Sequence, residues 1–292
     1  MFLAVVVVFL NEERFLPRLL SSVAGQTRAP DRLLLVDDGS EDASPSIARD
    51  FADAYPYAEA LVRTRRSAEA DRLATAAELR AFQWAVERLA DPYDILAKLD
   101  GDLELTPQLF ERIVEAFERD AHLGIAGPQL CVAGSDGAWT SERSAPWHVR
   151  GATKFYRRDC YEQIRPLPPI LGWDTIDEAR AAMRGWRVEC VAPSDGNPRH
   201  LRATGSYDGL LRGFRRRGVA AWGYGAHPLN VVLSAVVRMR KRPRVLGGIA
   251  YLRGWLGAAV RRAPRAEPEV VRFVRREQLR RLRNGVRHGG VR

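Results

Sequence analysis

The sequence predicts an α/β protein: a mostly parallel sheet flanked by helices, followed by a helical basic C-terminal segment. Short β-branched apolar runs alternate with stretches of helical period, which argues for parallel βαβ units. Three of those runs end in polar or acidic clusters, Asn11-Glu12, Asp37-Asp38 and Asp100-Gly101-Asp102. In such sheets ligands sit beyond the carboxyl ends of the strands. The 292 residues are 46% hydrophobic and 28% charged, enough apolar material to bury a core without staples.

The elements follow in order. Leu3 to Phe9 is an unbroken apolar run, rich in valine and ended by Asn11-Glu12-Glu13-Arg14, and reads as a buried parallel strand. It has no basic n-region and no small-residue cleavage site, so it does not read as a secretion signal. Glu13 to Val23 repeats Phe15, Leu16, Leu19, Leu20 and Val23 at helical spacing, with Pro17 tolerable in a first turn. Arg32 to Val36 is a second strand, Ala43 to Phe51 a helix and Ala58 to Arg63 a third strand. Ala74 to Leu89 is a long helix, and Tyr93 to Leu99 a strand. Thr106 and Pro107 open a helix through about Arg119. Gly124 to Val132, Gly151 to Tyr156 and Trp186 to Val191 read as strands. Residues 135–147 are turn-rich, and Pro166 to Pro169 forms a rigid bend. A helix after the Gly172–Glu178 stretch ends at Gly185, a residue suited to a C-terminal cap.

Charge divides the chain. The net charge is +10, yet residues 201–292 hold 22 Lys and Arg against 4 Asp and Glu, while residues 1–200 carry net −8. An acidic body with a basic segment is a different object from a uniformly basic protein. Three cysteines, Cys131, Cys160 and Cys190, fit no CxxC pattern and read as small apolar residues. No apolar run reaches the roughly 18–20 residues of a spanning helix. The expected location is the cytoplasm, peripherally on the cytoplasmic face of a membrane.

Two constellations carry chemistry. Asp100-Gly101-Asp102 ends a strand, and paired carboxylates on a turn suit Mg²⁺ or Mn²⁺ together with a diphosphate. Val36-Asp37-Asp38-Gly39-Ser40 places consecutive acids after a buried strand, where a carboxylate accepts from a nucleobase or a ribose hydroxyl. A plain Asp-Gly turn would account for either motif alone.

Taken in order, Asn11-Glu12-Glu13, Gln26, Val36-Asp37-Asp38-Gly39-Ser40 and Lys98-Leu99-Asp100-Gly101-Asp102 resemble the family 2 glycosyltransferases with the Rossmann-like GT-A fold. Gly172-Trp173-Asp174-Thr175-Ile176-Asp177-Glu178 resembles that family's acidic motif, and Gly185-Trp186 its Gly-aromatic sequel. The likeness spans residues 1 to about 240. It implies one transferase domain, 1–240, with a nucleotide-sugar-binding half (1–105) and an acceptor half (106–240), then a basic segment at 241–292. That segment resembles the tail of bacterial polysaccharide-assembly members. Two departures stand out: Phe9 replaces a common proline, and Trp173 replaces the first acid of the usual Glu-Asp pair.

The resemblance implies a metal-dependent inverting transfer from a nucleotide-sugar donor to a hydroxyl of a glycan or lipid-linked acceptor, in cell-surface polysaccharide synthesis. Phe9, Asn11, Glu12, Asp37 and Asp38 would hold base and ribose. Asp100 would touch ribose or metal, and Asp102 would bind Mg²⁺ or Mn²⁺. Asp174 would be the general base, with Asp177, three residues on, as the fallback. A retaining transferase remains an alternative. So does a sugar-nucleotide pyrophosphorylase, but Asn11-Glu12-Glu13-Arg14 lacks the glycine-rich loop such an enzyme needs. A silent membrane-binding module has no use for both Asp102 and Asp174.

The remaining candidates have plainer explanations. Arg63, Arg65 and Arg66 read as a solvated cationic stretch before they read as diphosphate ligands. His200 reads as structural before it reads as a diphosphate or metal ligand. Trp186 reads as core, and Trp139 and Trp147 as core or acceptor platform. The arginines after residue 200 read as basic amphipathic helices suited to an anionic membrane surface, among them Arg272, Arg275 and Arg276 alternating with Val271, Phe273 and Val274. Nucleic acid is not expected, since stacking aromatics are sparse there.

Overall fold

The structure, a computed structural model, describes residues 1–64, 75–133, 138–141, 148–191, 195–202, 209–240 and 243–288. Every position of β1 (Leu3–Phe9) is buried. A strand with apolar residues on both faces must be covered on both faces. On one side, Val5, Val7 and Phe9 pack with α1 (Leu16–Ala24) and α4 (Leu109–Arg119). On the other lies the aromatic cluster of Phe82 from α3 (Ala77–Val86), Tyr156 and Tyr161.

The strands flanking β1 are β2 (Arg32–Asp37) and β4 (Ile95–Asp100), both parallel to it. α2 (Ser44–Ala54) leads to β3 (Ala58–Val62), which extends the sheet beyond β2. On the other edge come β6 (Leu123–Gly127), β9 (Thr153–Arg157), α5 (Arg158–Ile164) and β10 (Arg187–Cys190). The order is β10-β6-β9-β4-β1-β2-β3. Only β9 runs against its neighbours, β4 and β6, so the sheet is mostly parallel as expected. A second sheet holds β5 (Leu103–Glu104), β7 (Cys131–Ala133), β8 (Trp139–Ser141) and β11 (Arg199–His200), in the order β5-β11-β7-β8.

Contacts divide the chain into two units. The first is Met1–Arg72, Ala77–Pro166 and Arg184–Thr204, which contains both sheets. The second is Leu73–Ala76, Leu167–Met183 and Gly205–Arg292. In the second, α6 (Trp173–Met183) packs Ile176 and Ala179 against Val270, Val271 and Val274 of α10 (Pro268–His288). α7 (Leu210–Gly223) and α9 (Leu246–Val260) cross closely. A Cβ on Gly218 would lie 2.0 Å from the Tyr251 carbonyl oxygen, and one on Gly254 would lie 2.0 Å from that of Arg215. α8 (Pro228–Met239) rests Val231 and Ala235 on Tyr251 of α9.

Three details differ from the sequence reading. The expected strand at Gly124–Val132 is two strands, β6 and β7, with Pro128 between them; proline has no N–H to donate to a ladder. The first helix starts at Leu16, with Pro17 in its first turn, not at Glu13. α6 begins at Trp173, so the acidic stretch lies inside the helix and not ahead of it.

Candidate functional site

The carboxyl ends of β1, β2 and β4 lie level in the sheet, because Phe9 is in register with Asp37 and Val8 with Asp100. The loops leaving β1 and β2 are tied to each other. Asn11 adopts a φ of 52°, a left-handed conformation that asparagine tolerates. Its N–H donates to Ser40 Oγ at 2.9 Å, and its Oδ1 accepts from Glu41 N at 2.8 Å. Glu12 N donates to Ser44 Oγ at 2.8 Å. Asp37 Oδ1 accepts from Ser40 N at 2.8 Å, which closes the turn. Asp38 is fully buried, and Arg63 Nη1 donates to its Oδ1 at 2.5 Å. Arg63 is therefore ion-paired to Asp38 and not a freely solvated cation. A buried carboxylate at this depth requires such a partner.

Gln26 has a structural role in the same region. Its Nε2 donates to Ser22 O at 3.0 Å and Thr106 O at 2.7 Å, and its Oε1 accepts from Phe110 N at 3.0 Å. It clamps the end of α1 to the start of α4.

Asp100 and Asp102 flank Gly101. A Cβ there would lie 2.8 Å from Phe9 Cβ and 3.3 Å from Glu12 Cγ, so the loop after β1 leaves room only for glycine. Lys98 is buried on β4, pairs with Asp100 Oδ1 and donates to Gly151 O at 2.9 Å.

Asp102 meets two side chains from a distant part of the sequence. β11 pairs antiparallel with β5, His200 opposite Leu103, and Leu201 N donates to Asp102 O at 2.8 Å. This pairing brings His200 Nε2 to 3.2 Å from Asp102 Oδ1. Arg202 Nη2 donates to Glu12 Oε2 at 2.5 Å, and its Nε lies 3.8 Å from Asp102 Oδ2. His200 thus lies against the Asp102 carboxylate. Arg202 was not legible from the sequence; its one signal is a second cation two residues after His200.

Burial and neighbouring charges shift the groups of the site. Burial, with the nearby Asp102 and Asp100 carboxylates, pushes the Glu12 carboxyl up to about 7 despite Arg202. Burial also acts to raise Asp102, but the hydrogen bond and charge of His200, with Arg202, hold it below the ordinary value. Burial acts to lower His200, and Asp102 more than offsets this, so the imidazole is raised.

The acidic helix belongs to the second unit. Asp174 is half-buried in the first turn of α6. Asp177 is fully buried, and its Oδ1 accepts from Glu178 N at 2.6 Å. Trp173 is buried. Trp186 is half-buried and donates from Nε1 to Gln163 Oε1 at 2.9 Å. Trp139 is exposed, with the Arg199 guanidinium 5.1 Å from its ring centre. Arg65, Arg66 and Trp147 lie outside the described residues. None of the three cysteines is in a disulfide.

Comparison with known proteins decides the family. Residues 4–171, more than half of the chain, match the profile described as Glycosyl transferase family 2. The chain belongs to glycosyl transferase family 2. The matched region of this family 2 chain holds every candidate donor-site residue from Phe9 to Asp102, and it ends just before Asp174. The chain is 26% identical over 204 residues to Glycosyltransferase AglE of Haloferax volcanii, covering 64% of its own length and 63% of that relative's. Among solved structures, it is similar to the mannosyltransferase PcManGT from Pyrobaculum calidifontis in complex with GDP-Man and Mn²⁺. The TM-score is 0.55 and the identity 18%, over 89% of this chain and 73% of that one. It is also similar to GalNAc-T7 with UDP, GalNAc and Mn²⁺, with a TM-score of 0.55 and 14% identity, over 90% of this chain and 55% of that one. The fold is therefore GT-A.

Both of these solved structures hold Mn²⁺. Among the described residues, no three His, Cys, Asp or Glu side chains are arranged to hold a metal ion. Asp102 and His200 supply one carboxylate and one imidazole. A hard dication completes so small a protein set with phosphate oxygens and water. Glu12 is raised first by burial and then by the Asp102 and Asp100 carboxylates, and a cation between them would relieve the second part. The residues fit.

Proposed function

We propose that this family 2 chain is a metal-dependent glycosyltransferase that takes a sugar from a nucleotide-sugar donor and passes it, with inversion, to a hydroxyl of a glycan or lipid-linked acceptor. The observation that carries the reading is the cluster of Asp102, His200, Arg202 and Glu12 at the carboxyl ends of the strands. Asp37, Asp38, Phe9, Asn11 and Glu12 form the base and ribose end in this reading. Asp102 and His200, with Asp100 beside them, would hold Mg²⁺ or Mn²⁺. Bound there, the ion would offset charge building on the departing nucleoside diphosphate. Arg202 adds a cation whose guanidinium suits phosphate oxygens. It already bonds a carboxylate, so a diphosphate would compete for the same N–H groups.

Asp174 is our choice for the general base. It would take the proton of the acceptor hydroxyl as that oxygen attacks the anomeric carbon. Its half-exposed place on α6 supports this choice over Asp177, which is fully buried. Attack opposite the leaving group inverts the anomeric centre without a covalent intermediate. Cell-surface polysaccharide synthesis is the expected setting.

The test is a panel of UDP-, GDP- and dTDP-sugars with Mn²⁺, read first by thermal shift, then by transfer with the product anomer assigned by NMR. A donor-dependent rise in melting temperature and an inverted product support the reading. Retained configuration would overturn the inverting mechanism. No response to any donor would overturn the whole.

A further inference from the structure

The second unit leaves an apolar surface exposed. On α8, Leu229, Val232, Leu233, Val236 and Val237 are all exposed, between 41% and 53%. Their spacing of i, i+3, i+4, i+7 and i+8 makes one continuous stripe. The opposite side of the helix, Val231 and Ala235, packs in the core. On α9, Leu246, Ile249, Leu256 and Val260 are exposed as well. A soluble surface seldom offers contiguous apolar residues in this number.

The segment that carries these helices has charge of one sign. From Gly209 to Ala266 the sequence holds thirteen Lys and Arg and not one Asp or Glu. Exposed Arg240 continues the α8 stripe, and exposed Arg253 interrupts that of α9. α10 is different, although its arginines are more numerous. Its apolar residues Val270, Val271 and Val274 are buried against α6. The valines of the amphipathic pattern read there from the sequence are used by the core, and among the described residues Leu279 is its one large apolar residue that is well exposed. No helix among the described residues is long and apolar enough to cross a membrane.

We propose that the exposed face of α8, continued by α9, is a docking surface for an anionic phospholipid bilayer, with the valine and leucine side chains entering the interface and the arginines meeting lipid phosphates. Charge complementarity selects this occupant: a segment with thirteen Lys and Arg and no acidic residue of its own, and with exposed Arg240 and Arg253 beside the apolar stripe, suits an anionic sheet and repels a second copy of the same face. Docking of this kind would bring the enzyme to a lipid-linked acceptor. Vesicle binding needs no sugar donor, so it is judged apart from the transfer chemistry.

The experiment is cosedimentation of the full chain with vesicles of phosphatidylcholine and phosphatidylglycerol in equal parts, against phosphatidylcholine alone. Binding should favour the anionic vesicles and weaken as salt rises. Leu233→Ser with Val236→Ser should weaken it by about tenfold or more through lost apolar burial. Arg240→Gln should weaken it by about fivefold. Arg272→Gln with Arg276→Gln on α10 should matter less. Unchanged melting curves for these surface variants show that the fold is kept. Equal binding to both vesicles, or loss with the α10 pair but not the α8 pair, overturns the proposal. Sedimentation velocity showing a dimer that the α8 pair dissolves, with no vesicle binding, assigns the face to a second copy and also overturns it.

Discussion

His200 Nε2 lies 3.2 Å from Asp102 Oδ1, although the two residues are far apart in the chain. The two-residue pairing of β5 with β11 makes this contact. A catalytic body can thus recruit a distant imidazole to a strand-end carboxylate with very little structure.

Gly101 is tightly confined between the loop after β1 and its own turn. Gly101→Ala places a methyl 2.8 Å from Phe9 Cβ, an atom fixed to the buried end of β1. Relief requires backbone movement between Asp100 and Asp102. The variant should lose about 1–3 kcal/mol of stability, the usual cost of overpacking, together with nucleotide affinity. Denaturant titration and calorimetry check both.

Much of this was legible in the sequence, for physical reasons. An all-apolar run such as Leu3–Phe9 has few alternatives to a strand covered on both faces, and polar residues at its end mark where it leaves the sheet. The carboxylates at Asp37, Asp38, Asp100 and Asp102 were legible for the same reason. Arg202 was not, because its partner Glu12 is reached only through tertiary pairing. Nor was the depth of Lys98, whose ammonium is buried beside Asp100. Lysine in a strand reads as an exposed residue until its partner is known. Arg63 was misjudged because the buried Asp38 that holds it gives no local sign.

Gln26 should prove structural. Gln26→Leu removes two donated bonds and one accepted bond, and leaves Phe110 N unsatisfied. The expected loss is about 1–3 kcal/mol, a melting-temperature drop of several degrees, with nucleotide affinity unchanged at temperatures where the variant is folded.

Glu277 gives a pH-dependent signal away from the site. Hydrogen bonds from Arg280 at 2.8 and 2.9 Å, and then from Arg281 at 2.8 Å, hold its carboxyl below its ordinary 4.5. A lowered carboxylate contributes stability above the unfolded value, and this is lost as pH falls through the folded one. Glu277→Gln should therefore lower the melting temperature at pH 6 to 7 and have little effect well below 4.5. An equal effect at both ends would refute the ion-pair account.

Asp174→Asn keeps the shape of the side chain and removes its basicity. Turnover should fall by roughly 10²–10⁴-fold, while donor binding stays near wild type. Asp177→Asn alters a fully buried group bonded to Glu178 N, so its effect should appear in the melting temperature first. If Asp177→Asn stays stable and loses turnover while Asp174→Asn keeps it, the base is one turn further along α6.

The central claim is a dication-dependent donor site built on Asp102. The most direct measurement is calorimetric titration of UDP and of GDP into the chain with Mn²⁺ and again with excess chelator, for wild type and Asp102→Asn. The account predicts that one of the nucleotides binds with Mn²⁺, and that affinity falls by about tenfold or more both in chelator and in the variant, because the substitution removes the carboxylate charge that a hard dication favours. Equal affinity with metal, with chelator and in Asp102→Asn would contradict it.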